Sequence, residues 1–212
     1  MSTRASRIIN TRFHLGTKRV LDIGCGRGEF LKDFGQGSIG ITTDKAEVEY
    51  GREHSLPIMF GNAEYLDQEK GTFEVIWANN LFEHLLSPHS FLMKLRKIST
   101  GNTLLVLGVP VVPFFPWLMR FNKFRGALAS NHINFFTLDT LRLTVRHTGW
   151  EIKEVRPFIF KNEILDKLVR PFAPHLYVVA RLNSEFKYPP KKYNEWKDDP
   201  AFSELLEITK QK

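Results

Sequence analysis

Apolar and polar positions along this chain follow two rhythms. Short apolar runs stopped by glycine or polar turns predict strands, and apolar residues recurring every three to four positions predict helices. "RVLDIG", Arg19 to Gly24, is the first such run and reads as a buried strand. "GEFLKDF" sets Phe30, Leu31 and Phe34 on one helical face, with Gly35 placed to end the helix. "SIGITT" predicts the next strand and "DKAEVEYGREH" the next helix, with Asp44 positioned as its N-cap. "PIMFGN" and "TFEVIWAN" read as the third and fourth strands. "PHSFLMKLRKIS" follows as a helix with Pro88 in its first turn. "NTLLVLGVP" is apolar throughout, as a central strand of a parallel sheet covered on both faces should be.

The rhythm then breaks. Residues 111–136 carry prolines, many aromatics and the cations Arg120, Lys123 and Arg125, and fit neither period. "TLDTLRLTVRHTG" resumes as a helix with Thr137 as its cap and Gly149 as its stop. "WEIKEVRPF" and "LYVVARL" predict two last strands, separated by a short helix in "NEILDKLVRPF" that Pro171 breaks. Past Asn183 the chain reads as a loosely attached tail with a small helix at "FSELLEITK". The expected organisation is one domain over 1–182, with an insertion at 111–136, and a C-terminal tail, 183–212. Alternating strands and helices imply an α/β fold, a doubly wound parallel sheet that binds its ligand beyond the carboxyl ends of the strands.

Composition narrows the class. With 212 residues, 42% of them hydrophobic, the chain can bury a sizeable core and is not a disordered one. No apolar run approaches the length of about 20 that spans a bilayer, so no transmembrane segment is expected. The N-terminus lacks the apolar core of a secretion signal, and a cytoplasmic location is the expectation. The single cysteine, Cys25, excludes an intramolecular disulfide and argues against a cysteine-based zinc site; no metal is expected. The net charge of +7 is unevenly placed: Arg4, Arg7, Arg12, Lys18 and Arg19 fall in the first twenty residues with no acid among them. Such a cluster suits nucleic acid, anionic lipid or a phosphorylated substrate, or serves solubility.

The most specific signal is "DIGCGRGEF" at the carboxyl end of the first strand, with Gly24, Gly26 and Gly28 spaced G-x-G-x-G. A dinucleotide loop would place its third glycine one residue later, where this chain has Glu29, an anion that would repel a pyrophosphate. The loop suits a ligand that approaches bare backbone without bringing a pyrophosphate.

"VLDIGCGRGEF", "GITTDKAEVEYGRE", "FGNAEYL", "FEVIWANNLFEHLLSPHSFLMKLRKIS" and "LLVLGVP" together resemble, in order and spacing, the class I S-adenosylmethionine-dependent methyltransferases. Similarity extends over roughly residues 18–182 and is strongest to small-molecule methyltransferases with a "LEHL"-like segment after the fourth strand. The resemblance implies a Rossmann-like seven-stranded sheet with its last strand antiparallel, and S-adenosylmethionine as cofactor. It implies that Asp22, Gly24, Cys25, Gly26 and Gly28 surround the methionine portion, Asp22 near its ammonium group. It places Asn62, Ala63 and Glu64 on the adenine side, and Asn79 and Asn80 beside the methyl group. The family usually ends its second strand with an acid that takes the ribose hydroxyls. Here Thr42 holds that position, and Asp44, two residues on, either reaches in or only caps its helix.

Methyl transfer needs alignment of nucleophile, methyl and sulfur, and a base only when the acceptor must lose a proton. His84, in "FEHLL", is a candidate base, or a structural histidine at a helix start, with Glu83 able to orient it. His132, in "SNHINFF", is a second candidate as base or acceptor ligand, or a residue that only steadies its loop. His89 is expected to face solvent. The insertion fits a lid over an apolar acceptor, a basic amphipathic helix at a membrane surface through 111–125, or a flap that completes the core. The expected function is methyl transfer, at oxygen, to a small-molecule, lipid-linked or glycan acceptor. An RNA methyltransferase and a non-catalytic methyltransferase-like binding protein are the alternatives. "ANNL" stands where amino-group methyltransferases of nucleic acid carry an "N/D-P-P-Y" tetrad, so nucleic acid is not the expected partner.

Overall fold

The computed structural model describes residues 3–66 and 72–209. Seven strands form one sheet: β1 (Val20–Ile23), β2 (Ile39–Thr42), β3 (Ile58–Phe60), β4 (Val75–Asn79), β5 (Leu104–Pro110), β6 (Trp150–Arg156) and β7 (His175–Leu182). Their order is β3-β2-β1-β4-β5-β7-β6. β1 to β5 run parallel, and β7 lies antiparallel between β5 and β6. The expected α/β architecture with its antiparallel last strand is the observed one. β1, β4 and β5 are buried on both faces, as their unbroken apolar runs require.

Helices cover the sheet. α1 (Thr3–Phe13), α2 (Lys45–Glu53), α3 (Pro88–Leu95), α4 (Leu138–Arg146), α5 (Glu163–Val169), α6 (Pro190–Trp196) and α7 (Pro200–Ile208) are the α-helices among the described residues. Caps fall where the sequence put them: Asp44 accepts from the Ala46 amide at 2.8 Å, and Thr137 forms a reciprocal capping box with Thr140. α1, which the strand and helix rhythm did not reveal, buries Ala5, Ile8 and Ile9 against the sheet face that carries Val20, Trp77 and Tyr177.

Three expectations change. "GEFLKDF" forms no α-helix; only a 3-10 turn, Leu31–Asp33, closes there. Phe30 and Phe34 still pack on Trp77, at 5.5 and 5.8 Å between ring centres. The insertion is not an amphipathic α-helix but two 3-10 segments, Pro116–Arg120 and Asn122–Leu128. The tail is not loosely attached: Tyr188, Leu205, Leu206 and Ile208 bury themselves with Met93 of α3. That packing half-buries His89, whose Nε2 meets the Tyr188 hydroxyl at 2.7 Å, so His89 is not the free solvent-facing residue expected. Lys210, at the end of the expected last helix, lies outside the described residues.

Candidate active site

β1 and its neighbour β4 end side by side in the middle of the sheet, where the chain's path reverses direction, which is where such sheets place their ligand. The loop leaving β1 bends through Gly24, Gly26 and Gly28, all with positive φ, at 73°, 56° and 73°. Left-handed backbone costs a side-chain-bearing residue roughly 1–2 kcal/mol, so glycine is the residue that holds this bend without strain. At Gly24 a Cβ would also lie 3.2 Å from the Leu81 side chain, so the loop after β4 closes directly on the glycine loop.

Asp22, the third residue of β1, is 2% exposed, and its Oδ2 has no hydrogen-bond partner among the described residues. Burial, with a contribution from Glu29, pushes its carboxyl up to about 8. A buried acid with an unsatisfied oxygen is suited to receive a cation. Cys25 is buried, and burial first, then the nearby acids, pushes its thiol up to about 12, so it stays protonated.

At the end of β2, Thr42 is buried and its hydroxyl is already committed. It donates to Glu47 Oε2 at 2.5 Å and accepts from the Asp44 amide at 3.1 Å. Asp44 serves as the cap of α2. The acid that comes to the glycine loop is Glu47, from the first turn of α2: its Oε1 lies 3.6 Å from where a Cβ on Gly26 would stand. The sequence reading missed it. Asn62 caps the 3-10 turn Ala63–Tyr65, Ala63 is buried, and Glu64 accepts from the Leu86 amide at 2.7 Å. This segment is thereby tied to the loop after β4.

Asn79 is buried at the end of β4, opposite Gly108 of β5, where any Cβ would collide with the Asn79 amide. Asn80 adopts φ 51° and its Oδ1 accepts from His175 Nε2 at 2.9 Å. Burial pushes His175 down to about 4, so it is a neutral donor at neutral pH. His175 was missed because it begins β7, where the apolar pattern of "LYVVARL" drew the strand from Leu176.

His84 and His132 come together, with ring centres 4.7 Å apart and planes at 83°. His84 Nδ1 lies 3.1 Å from the Asn131 carbonyl, and His132 Nδ1 lies 3.3 Å from the Ala127 carbonyl. A carbonyl oxygen only accepts, so each Nδ1 donates, and in the neutral ring it is Nε2 that holds the lone pair. Both Nε2 atoms face Glu83 Oε1, at 4.0 and 3.9 Å. Glu83 is 1% exposed, and burial pushes its carboxyl up to about 7. These three ligand atoms lie within 4.8 Å of one another, close enough for one divalent cation to be shared among them.

Two adjoining cavities flank this cluster. One, of about 360 Å³, is lined by Glu83, His84 and His132 with Asn80 and His175. The other, of about 480 Å³, shares Asn80, Lys123, Pro174 and His175 with it and continues between Phe124, Ile159 and Phe172. A histidine-bearing chamber therefore adjoins an apolar one beside the tip of β4.

A doubly wound sheet with a glycine bend after β1 and a buried acid below it defines a nucleoside-type binding domain, with an apolar cavity beside β4. The family profile described as a methyltransferase domain matches residues 1–155, and the chain belongs to that family, which with its fold implies S-adenosylmethionine as cofactor. The chain is 30% identical over 156 residues to the mitochondrial ubiquinone biosynthesis O-methyltransferase of Schizosaccharomyces pombe, a match that spans 66% of this chain and 57% of that protein. Among solved structures, an S-adenosylmethionine-dependent methyltransferase of Clostridium acetobutylicum superposes with TM-score 0.65 at 9% identity, covering 86% of this chain and 92% of that one. The CcbJ methyltransferase of Streptomyces caelestis gives 0.63 at 16% identity, covering 84% and 89%. Both likenesses are of fold.

Proposed function

We propose that this chain transfers the methyl group of S-adenosylmethionine to a hydroxyl oxygen of an apolar small-molecule or lipid-linked acceptor. The observation that carries the reading is the pairing of His84 and His132 in the lining of a cavity that shares Asn80, Lys123, Pro174 and His175 with an adjoining apolar one. The Schizosaccharomyces pombe relative, an O-methyltransferase by name, supports the same chemistry.

Bound over the glycine loop, S-adenosylmethionine supplies an electrophilic methyl group on a sulfonium. The Asp22 oxygen that has no partner among the described residues would receive the ammonium of the methionine portion, and Glu47 would take the role of the missing acid toward the ribose. Thr42 holds Glu47 rather than touching the nucleoside itself. His175 fixes the Asn80 amide, which would stand beside the methyl group. The Nε2 of His132 or His84 would accept the proton that the acceptor hydroxyl gives up on methylation. Glu83 lies within 4.0 Å of both rings, where its carboxylate would stabilise the imidazolium that forms. With Glu47 in place, Thr42 no longer argues for a non-catalytic protein.

The RNA alternative loses its support. Arg12 pairs with Glu154 at 2.6 Å, Lys18 with Glu74 at 3.7 Å, and Arg19 donates to the carbonyls of Gly37 and Thr72. Three of the five N-terminal cations are thus engaged within the fold.

Calorimetry with S-adenosylmethionine, followed by a labelled-methyl screen of phenols, lipid-linked hydroxyls and glycans, tests the reading. In His84→Ala/His132→Ala the rate should fall roughly 10²–10⁴-fold with cofactor affinity unchanged. An undiminished rate removes the base assignment, and no cofactor binding at millimolar ligand removes the enzyme.

A further inference from the structure

We infer that the insertion and α5 together form one face that docks on an anionic lipid bilayer, so that the apolar cavity opens toward the membrane. The idea that the acceptor is drawn from the lipid rests on the proposed function; the docking does not.

The face has two parts. In the insertion, Phe114 (77% exposed), Trp117 and Phe121 project into solvent. In α5, Ile164 (69% exposed), Leu165 and Leu168 do the same, at the spacing that lines one side of a helix. The parts are continuous. The Phe114 amide donates to the Pro171 carbonyl at 3.3 Å, and Phe115 stacks on Phe172 with ring centres 5.0 Å apart. So much large apolar surface gathered in one place marks a contact surface rather than ordinary exposure.

Its charge selects the partner. Residues 111–136 contain no Asp or Glu, while Arg120, Lys123 and Arg125 are all exposed. Arg120 and Lys123 have no ion pair among the described residues. In α5 the acids are withdrawn from the face. Asp166 is buried on Arg156 at 3.2 Å, and Glu163 is held by Lys167 at 2.8 Å. Aromatic and aliphatic anchors with a mainly cationic surround, in which Asp139 beside Phe114 is an exposed acid, match the headgroup boundary of a bilayer bearing anionic lipid. A protein partner of matching chemistry would need an apolar acidic surface, which nothing else in the structure calls for. The lipid does a second thing: Lys123, Phe124, Ile159 and Phe172 line the 480 Å³ cavity, so its rim lies in the docking face. No helix among the described residues is long and apolar enough to cross a membrane, so the contact is peripheral.

The test is co-sedimentation of the full chain with vesicles of phosphatidylcholine, with and without one third phosphatidylglycerol. Wild type should sediment with the anionic vesicles and be released by high salt. Trp117→Ser/Phe121→Ser, Ile164→Ser/Leu168→Ser and Arg120→Glu should each weaken binding by roughly tenfold or more. All of these sites are exposed, so thermal unfolding and calorimetric cofactor affinity should match wild type. A wild type that stays in the supernatant with both vesicles overturns the inference. So do variants that sediment as wild type does, or a dimer seen by sedimentation velocity that the same substitutions dissolve. Docking that persists while no acceptor is methylated would count against the proposed function alone.

Discussion

Asp22 stores a cost in the unliganded protein. Its carboxyl is pushed from the ordinary 3.8 up to about 8, first by burial and then by Glu29. The folded state therefore binds a proton more tightly than the unfolded chain does. The stability linked to that proton is fully present below about pH 4 and is lost as pH rises toward 8. Asp22→Asn should remove the loss and raise stability at pH 8 by about 1–2 kcal/mol, read by denaturant unfolding across pH. In the same variant S-adenosylmethionine should bind far more weakly. In wild type, affinity should climb between pH 6 and 7.5 by up to tenfold per unit, because binding a cation releases the Asp22 proton. A pH-independent affinity would show that no ammonium meets Asp22. Asp22 and its glycines were legible because both follow an apolar run whose end the sequence marks. Glu47 was not, because a side chain reaching back from a helix to a neighbouring strand leaves no trace in either period. His175 was hidden by the strand that it begins.

At the scale of elements, most strands and caps could be read from hydrophobic pattern and turn chemistry, and the two stretches that form 3-10 turns instead of an α-helix each have a local reason. "GEFLKDF" has helical spacing, but it must start from the positive-φ bend at Gly28 and finish at Gly35. A Cβ at Gly35 would lie 2.5 Å from the Lys18 amide nitrogen, so the chain there is pressed flat against the start of β1. Too few residues remain for an α-helix, and a 3-10 turn fits. In the insertion, Pro113 and Pro116 remove donors that an α-helix needs, and short 3-10 segments result. What then fixes the insertion is Asn134. Its side chain donates to the Leu85 carbonyl at 2.6 Å, and the Ile133 and Asn134 amides both donate to the Glu83 carbonyl at 3.0 Å. These bonds hold His132 against His84. Asn134→Ala leaves the Leu85 carbonyl without that donor and should cost roughly 1–3 kcal/mol in urea unfolding. Methyl transfer should fall with it while cofactor affinity stays within twofold. A kcat equal to wild type would mean that the histidine pair does not depend on this clamp.

For the whole molecule, the sheet order puts the glycine bend at β1 and β4, and the 480 Å³ cavity lies against His175 and Tyr177 of β7, away from the C-terminal helices. The sequence suggested a domain ending at residue 182, because the mixed charges of the tail hide its apolar residues. In the structure α6 and α7 extend the core instead. Leu205, Leu206 and Ile208 close over Met93, Lys97 reaches Glu204 at 2.6 Å, and Arg96 donates to the carbonyls of Gly149 and Asn183. α3 lies beneath both the tail and the loop that carries Glu83 and His84, so the tail supports the site only through α3's own rigidity. Leu206→Ala should therefore lower global stability by about 2–5 kcal/mol, the range for emptying a buried leucine site. Under native conditions it should leave S-adenosylmethionine affinity and kcat within twofold. Replacing Leu206 by Met, which refills the volume, should recover most of the stability. If instead the alanine variant keeps its unfolding midpoint, the tail contributes no core, and the boundary near residue 182 is the true limit of the domain.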